Sequence, residues 1–367
     1  MGHPTYILAG GGTGGHLYPG LAVARELREL RPEAVIVMAC SDRTIDAKVL
    51  ADEPYAVVAQ PVRPLPRGGR GWGGFLKAWA ASHRLARDML RDLKPAAVLG
   101  LGGFAAGPLV TRAGRAGVRT GLLNPDAVPG VANRWIARHA EAIFTQFETT
   151  RAHFGRARDK VRAVGCPIRR EFAAADRAQA LSQFGLRPDR RTLLVCGGSL
   201  GAASINAAVA ALLGHLEPLA GAWQVLHITG SSSMKAVDGE ADGKLHVRRM
   251  EYCHEMPLAY AAADLALGRA GANTVAELAA TGTPAVLMPY PHHKDMHQKL
   301  NAAALVECGA AVLVDDRISP AENVASLRAA MLGLMDDAGR LAEMASAAKS
   351  LGAGDAAAEV ARWLADV

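Results

Sequence analysis

The chain has 367 residues, enough for two domains with separate cores, and its 50% hydrophobic and 21% charged residues exclude a disordered chain. A formal net charge of +6 suits phosphate-bearing ligands, nucleic acid or an anionic membrane surface alike. Five cysteines, Cys40, Cys166, Cys196, Cys253 and Cys308, are odd in number, widely spaced and without metal-ligand spacing, so they read as small core residues in a reducing compartment.

From Met1 to Ala9 the chain runs straight into a strand, with neither a signal segment nor an apolar run able to cross a bilayer, which predicts a cytoplasmic protein. The strand Tyr6 to Ala9 ends in Gly10-Gly11-Gly12-Thr13-Gly14-Gly15-His16, and Pro19 to Leu30 then has helical periodicity. Ala34 to Cys40 reads as strand, Thr44 to Glu53 as helix, Ala56 to Gln60 as strand, followed by a long helix to Leu93. Further strands are predicted at Ala96 to Leu101, Arg119 to Leu123 and Ala142 to Thr145. Such alternation implies a parallel sheet covered on both faces.

Near Gly165-Cys166-Pro167 the pattern restarts: Thr192 to Cys196 is a strand, Gly197-Gly198-Ser199-Leu200-Gly201 a glycine loop, Ala202 to Leu213 a helix. Trp223 to Ile228, Leu245 to Arg248, Asp264 to Leu267, Ala285 to Met288 and Ala311 to Leu313 are the later strand candidates, and Pro320 to Val367 reads as helices. The expectation is an α/β chain of two doubly wound, Rossmann-like domains facing across a cleft, with ligands at the carboxyl ends of the strands.

The chemistry centres on Leu267 to Glu277, a strand end, a small-residue turn and the start of a helix. The helix-start amides of Ala272, Asn273 and Thr274, which have no acceptors inside the helix, can hold a phosphate, and Glu277, about one turn further on, can accept from the vicinal hydroxyls of a ribose. The alternative is an ordinary turn with a solvated glutamate. Ser199 and Gly201 offer a second phosphate cradle or a mere tight turn, and Arg169 a bidentate cation for a pyrophosphate.

His16, closing a loop stripped of side chains, suits a base near pH 7, or else a helix-start histidine bonded to nearby backbone. Gly10, Gly12 and Gly15 also satisfy a dinucleotide fingerprint, but the candidate ribose acid Asp42 comes later than the usual offset of about twenty residues. His292, His293, Asp295 and His297 follow no recognised metal pattern. Asp295, His297, Gln298 and Asn301 better fit hydrogen bonding to a sugar. Trp72, Phe75, Leu76 and Trp79, flanked by Arg63, Arg67, Arg70, Lys77, Arg84, Arg87 and Arg91, suit an anionic membrane surface, or a helix with aromatics in the core and arginines in water. No nucleic-acid-binding module accompanies the charge.

In this order, Gly-Gly-Thr-Gly-Gly-His16 with Pro19, Gly102-Gly103-Phe104 with Gly107-Pro108, Gly197-Gly198-Ser199 with Gly201-Ala202, Gly268 to Glu277, and His297-Gln298 with Asn301-Ala302 resemble the MurG family nearly end to end. The resemblance implies a GT-B glycosyltransferase, peripheral on the inner face of the cell membrane. It would move N-acetylglucosamine from UDP-GlcNAc to the muramoyl sugar of lipid I, forming lipid II for peptidoglycan, with no cofactor and no metal. It implies an acceptor and membrane-facing domain over residues 1–165, a UDP-sugar domain over 166–352, and a last helix, about 353–367, packed back on the first. Donor contacts would come from Thr13, Gly14, Gly15, Asp126, Arg169, Ser199, Gly201, Tyr252, Cys253, Ala272, Asn273, Thr274, Glu277, His297, Gln298 and Asn301. Acceptor contacts would come from Thr13, His16 and Phe104, and the membrane patch from Trp72, Phe75, Leu76 and Trp79. His16 is the expected base and Asp126 its rival.

Three positions depart from the family pattern. Asp126 in Leu123-Asn124-Pro125-Asp126 replaces a neutral amide, Phe104 a common tyrosine, and Leu200 a frequent glutamine. Other readings are a related GT-B enzyme with another UDP-sugar or lipid acceptor, a UDP-sugar epimerase, a UDP-sugar-binding protein without turnover, and a dehydrogenase.

Overall fold

The computed structural model describes residues 3–66, 71–198, 201–230, 244–292, 295–317, 319–352 and 354–366. Arg67, Arg70, Ser199, Leu200 and His293 therefore lie outside the described residues. The chain divides into two units, Met1–Arg169 with Gly354–Val367, and Arg170–Ala353, so the first border falls four residues and the second one residue later than expected.

In the first unit the order is β1 (Thr5–Gly10), α1 (Gly14–Leu30), β2 (Val35–Ser41), α2 (Thr44–Leu50), β3 (Ala56–Gln60), α3 (Trp72–Leu93), β4 (Ala97–Gly102), α4 (Gly103–Arg115), β5 (Arg119–Asn124), α5 (Val131–Ile136), β6 (Ala142–Thr145) and β7 (Val161–Ala163). The sheet order is β3-β2-β1-β4-β5-β6-β7, all parallel, so the connections reverse direction between β1 and β4. A two-residue period sorts the strands onto two cores. Tyr6, Leu8, Ile36 and Met38 face Leu17, Leu21 and Leu27 of α1, while Ile7, Ala9, Val37 and Ala39 face Met89 of α3 and Leu109 of α4.

The second unit comprises α6 (Glu171–Ala174), α7 (Arg177–Phe184), β8 (Arg191–Cys196), α8 (Ala203–Leu216), β9 (Trp223–Ile228), β10 (Val247–Met250), α9 (Met256–Ala262), β11 (Leu265–Gly268), α10 (Ala272–Thr281), β12 (Ala285–Leu287), α11 (His297–Glu307), β13 (Ala311–Leu313), α12 (Pro320–Asp336) and α13 (Ala338–Ser350). Its sheet order β10-β9-β8-β11-β12-β13 places the reversal between β8 and β11, whose carboxyl ends carry the second glycine loop and the Arg269–Gly271 turn. Ligands of doubly wound sheets settle at such reversals. Leu193 and Val195 pack with Ile205, Val209 and Leu212 of α8 and Leu327 and Met331 of α12.

The last helix, α14 (Ala356–Ala365), belongs to the first unit. Val360, Ala361 and Leu364 recur at helical spacing, are fully buried, and join the α1 side of that core. Burying Val360 and Leu364 contributes about 1.5–3 kcal/mol each. Trp363 lies edge-on to Phe144 at 5.4 Å and under the Arg119 guanidinium at 4.2 Å.

Local differences from the sequence reading have local causes. Helix α1 starts at Gly14 rather than Pro19, so Gly14, Gly15 and His16 form its first turn. Pro19 sits inside that helix and lacks the N–H that would bond the Gly15 carbonyl. Strand β7 escapes the reading because two of its three residues are exposed and give no apolar run. Strand β10 begins at Val247, two residues after Leu245.

Candidate active site

In the first unit the glycine loop leaves β1 through Gly11 at φ +150° and Gly12 at φ +90°, values that disfavour side chains. A Cβ on Gly11 would collide with Asp46 Oδ2. Asp46, on α2, is fully buried and holds the loop from below: Gly12 N donates to Oδ1 at 2.8 Å and Oδ2 at 2.9 Å. Ser41 adds its N–H at 3.0 Å and its hydroxyl at 2.6 Å. Sequence reasoning missed this residue, because an acid in a short helix reads as a solvated face. Asp42, the fingerprint's candidate acid, is instead exposed and takes Arg63 Nη1 on both oxygens, at 2.7 and 2.8 Å.

A prediction follows from the contrast. Asp46→Ala strands two buried N–H groups and should lower unfolding free energy by about 3 kcal/mol. Asp42→Ala removes only an exposed pair worth about 1 kcal/mol or less. Equal losses for the two in denaturant titrations would refute the clamp.

His16 is half-buried in the first turn of α1. Its Nδ1 lies 3.1 Å from Thr13 Oγ1, and the Gly11 carbonyl accepts from the ring. A Cβ on Gly102, where φ is +98°, would sit 2.9 Å from His16 Cδ2, so the Gly102–Gly103 turn after β4 closes one face of the imidazole. Burial lowers the His16 pKa below its ordinary 6.5, while the carboxylates of Asp126 and Asp46 pull it upward without cancelling the shift. The imidazole is therefore neutral near pH 7.

Asp126 is half-buried just past β5; its carbonyl accepts from Asn124 Nδ2 at 2.7 Å, and Asn133 Nδ2 bonds Asn124 Oδ1 at 2.8 Å. Phe104, at the start of α4, lies under the Arg43 guanidinium at 5.2 Å. Arg169, the last residue of this unit, sits 5.7 Å from the Tyr18 ring centroid of α1. Thr13, Gly14, Gly15, His16, Phe104, Asp126 and Arg169 thus all belong to the first unit.

In the second unit, α10 starts at Ala272 with Gly271 as its cap, so the cap carries no side chain across the first-turn amides, a place where anions settle. Ala272 is buried; Asn273, Thr274 and Glu277 are half-buried. Tyr260 of α9, buried, donates its hydroxyl to the Glu277 side chain and accepts from that of Thr274. Burial first, then the Glu277 charge, pushes the Tyr260 pKa well above 10.0, so it stays a donor and fixes the carboxylate. Cys196, ending β8, has its thiol pushed up to about 11 by burial, with the charges of Glu277 and Cys253 adding to the rise. The end of β8 and the later half of α9 therefore converge with the first turns of α10 on Glu277. Tyr252 packs edge-on to His254 at 4.7 Å beside buried Cys253.

Beside α8 opens a pocket of about 360 Å3 lined by Gly201, Ser204, Arg269, Tyr290, His292 and Gln298 among others. Arg269 ties it together, donating to Asp316 Oδ2 and to the Met288 carbonyl at 2.8 and 2.9 Å, and to Ser204 Oγ at 2.9 Å. Gln298 Oε1 accepts from Tyr290 N at 2.8 Å, and His297 Nδ1 pairs with Asp295 Oδ1 at 2.8 Å.

Asn301 is fully buried and its amide donates to the Ala270 carbonyl at 3.2 Å, which fixes the turn before α10. Among the described residues no three His, Cys, Asp or Glu side chains are grouped to hold a metal.

Residues 6–145 match the glycosyltransferase family 28 N-terminal domain, and residues 192–360 the glycosyltransferase family 28 C-terminal domain. A Chlorobaculum parvum protein named UDP-N-acetylglucosamine--N-acetylmuramyl-(pentapeptide) pyrophosphoryl-undecaprenol N-acetylglucosamine transferase is 40% identical over 97% of both chains. A protein of the same name from Leifsonia xyli subsp. xyli is 40% identical over 95% of both. The crystal structure of Acinetobacter baumannii MurG covers all of both chains with a TM-score of 0.72 at 24% identity, and shares the fold. With both halves matched and the identity spread over nearly the whole chain, this protein belongs to glycosyltransferase family 28 and, within it, to the MurG family.

Proposed function

We propose that the chain transfers N-acetylglucosamine from UDP-GlcNAc to the muramoyl sugar of undecaprenyl-pyrophosphoryl-MurNAc-pentapeptide, forming lipid II. What carries this reading is the 40% identity over nearly the full chain to transferases of that name. The geometry supports it: a helix start whose glycine cap carries no side chain, a carboxylate pinned by a buried tyrosine, and a neutral histidine just after a glycine loop.

In this reading the second unit binds the donor. Ala272, Asn273 and Thr274 take the diphosphate together with Ser199 and Gly201, Glu277 accepts from the ribose hydroxyls, and the backbone of Tyr252 and Cys253 faces uracil. His297 and Gln298 meet the donor sugar with Thr13, Gly14, Gly15 and Asp126. Thr13, His16 and Phe104 meet the acceptor. The acceptor hydroxyl attacks the anomeric carbon as His16 takes its proton, and the α10 amides with Arg169 stabilise the departing UDP. These donors neutralise the leaving group without a metal, so chelation with EDTA leaves the rate unchanged. Incubation with UDP-GlcNAc and a lipid I analogue should add one N-acetylhexosamine mass to the acceptor; its absence would sink the reading.

We also place the protein on the inner face of the membrane as a peripheral enzyme. Among the described residues no helix is long and apolar enough to cross a membrane. Helix α3 exposes Trp72, Leu76 and Trp79 at 44%, 55% and 47%, more than core residues would, while Phe75 is half-buried edge-on to Trp72 at 5.8 Å. Arg87 and Arg91 pair with Asp88 and Asp92, which offsets their charge; Lys77 and Arg84 have no carboxylate partner among the described residues. The attraction is thus mainly apolar, seated on the first turns of α3. Trp72→Ala with Trp79→Ala should weaken sedimentation with anionic vesicles at least tenfold, about 1.4 kcal/mol, without changing UDP affinity. Unchanged sedimentation would return these aromatics to a structural role.

A further inference from the structure

Arg43 is the one feature of the first glycine loop that the roles above leave unused. It precedes α2, is exposed, and donates from Nη1 to the Gly12 carbonyl at 3.2 Å while its guanidinium lies over Phe104 at 5.2 Å. A Cβ on Gly12 would meet both Phe104 Cε1, at 3.2 Å, and Arg43 Nη1, at 3.8 Å, so loop, ring and cation form one packed group.

Its charge is not neutralised. Neighbouring Asp42 is taken by Arg63, Glu53 by Arg25, and Asp46 is turned into the core against Gly12 and Ser41. Among the described residues no carboxylate pairs with Arg43, and both partners that hold it are neutral. Stacking and the Gly12 bond immobilise the side chain in advance, which lowers the entropy lost when it captures an anion. A guanidinium fork matches phosphate oxygens in a bidentate way.

We propose that Arg43 binds the pyrophosphate of the lipid-linked acceptor, with Phe104 as the ring that holds the guanidinium in place. The assignment rests on the transfer reaction proposed above, whose acceptor carries a pyrophosphate between lipid and sugar. Its bond to Gly12, the residue before Thr13 in the loop that leads to His16, lets one segment hold the acceptor's charge and receive its proton.

The test is steady-state kinetics of Arg43→Ala and Arg43→Gln with two acceptors, one pyrophosphate-linked and one with an uncharged linker. Both variants should raise the acceptor KM about 10- to 100-fold with the pyrophosphate and leave it unchanged with the neutral linker. The KM for UDP-GlcNAc and the thermal midpoint should match wild type. Arg43→Lys, which keeps charge but not the fork, should fall between. An unchanged acceptor KM overturns the proposal. So does an equal loss with the neutral-linker acceptor, accompanied by weaker binding to anionic vesicles free of acceptor, which would assign Arg43 to a lipid headgroup phosphate. If wild type yields no product, the transfer reading itself has failed, and that outcome is distinct from the other two.

Discussion

His16→Ala is expected to lower kcat by about 10²- to 10⁴-fold, the range for loss of a general base, while the KM for UDP-GlcNAc stays within a few-fold of wild type. The split follows from where the side chain sits. The imidazole is held between Thr13 and Gly11 in the first unit, whereas the α10 amides and Glu277, assigned to the diphosphate and the ribose, belong to the second. The pH dependence has a definite sign. Burial lowers the His16 pKa below 6.5, so the free base is present at neutral pH and activity falls as pH drops through that lowered value. Asp126 opposes the shift. Asp126→Asn, which restores a neutral amide, should therefore move the acidic limb of the kcat profile to still lower pH with the maximal rate largely kept. Should Asp126→Asn abolish turnover while His16→Ala retains it, the base is Asp126.

Glu277→Ala should act on the other substrate. Two charge-assisted hydrogen bonds to ribose hydroxyls contribute about 1.5–3 kcal/mol each, so their loss should raise the UDP-GlcNAc KM by at least about 10²-fold, with the acceptor KM little altered. Tyr260→Phe separates contact from positioning. It removes the donor that fixes the Glu277 carboxylate and leaves the carboxylate itself, so the UDP-GlcNAc KM should rise by about tenfold. A Tyr260→Phe enzyme indistinguishable from wild type would mean that Glu277 is fixed by other contacts.

The central strands of both sheets were legible because, buried on both faces, they are short apolar runs set off by glycine loops and amphipathic helices. Ile7, Ala9, Val98 and Leu193 illustrate such runs, each fully buried. The loops that end β1, β4 and β8 could be placed for the same reason, since glycine there marks a turn that side chains would obstruct. What escaped was whatever depends on partners distant in sequence. Asp46 reads as a surface acid until β1 and β2 are brought together over it, and Tyr260 reads as one more apolar helix residue until α9 meets Glu277. The bond from the Asn301 amide to the Ala270 carbonyl is of the same kind, since it forms only where α11 packs on the start of α10. Arg43 was hidden among other arginines, and only its lack of a carboxylate partner among the described residues sets it apart from Arg25 and Arg63.

The most direct measurement is a crystal structure of the protein with UDP bound. The account predicts diphosphate oxygens within hydrogen-bonding distance of the Ala272, Asn273 and Thr274 amides and both ribose hydroxyls on the Glu277 carboxylate, with Tyr260 still bonded behind it. A nucleotide seated elsewhere, or a Glu277 carboxylate turned from the ribose, would contradict it.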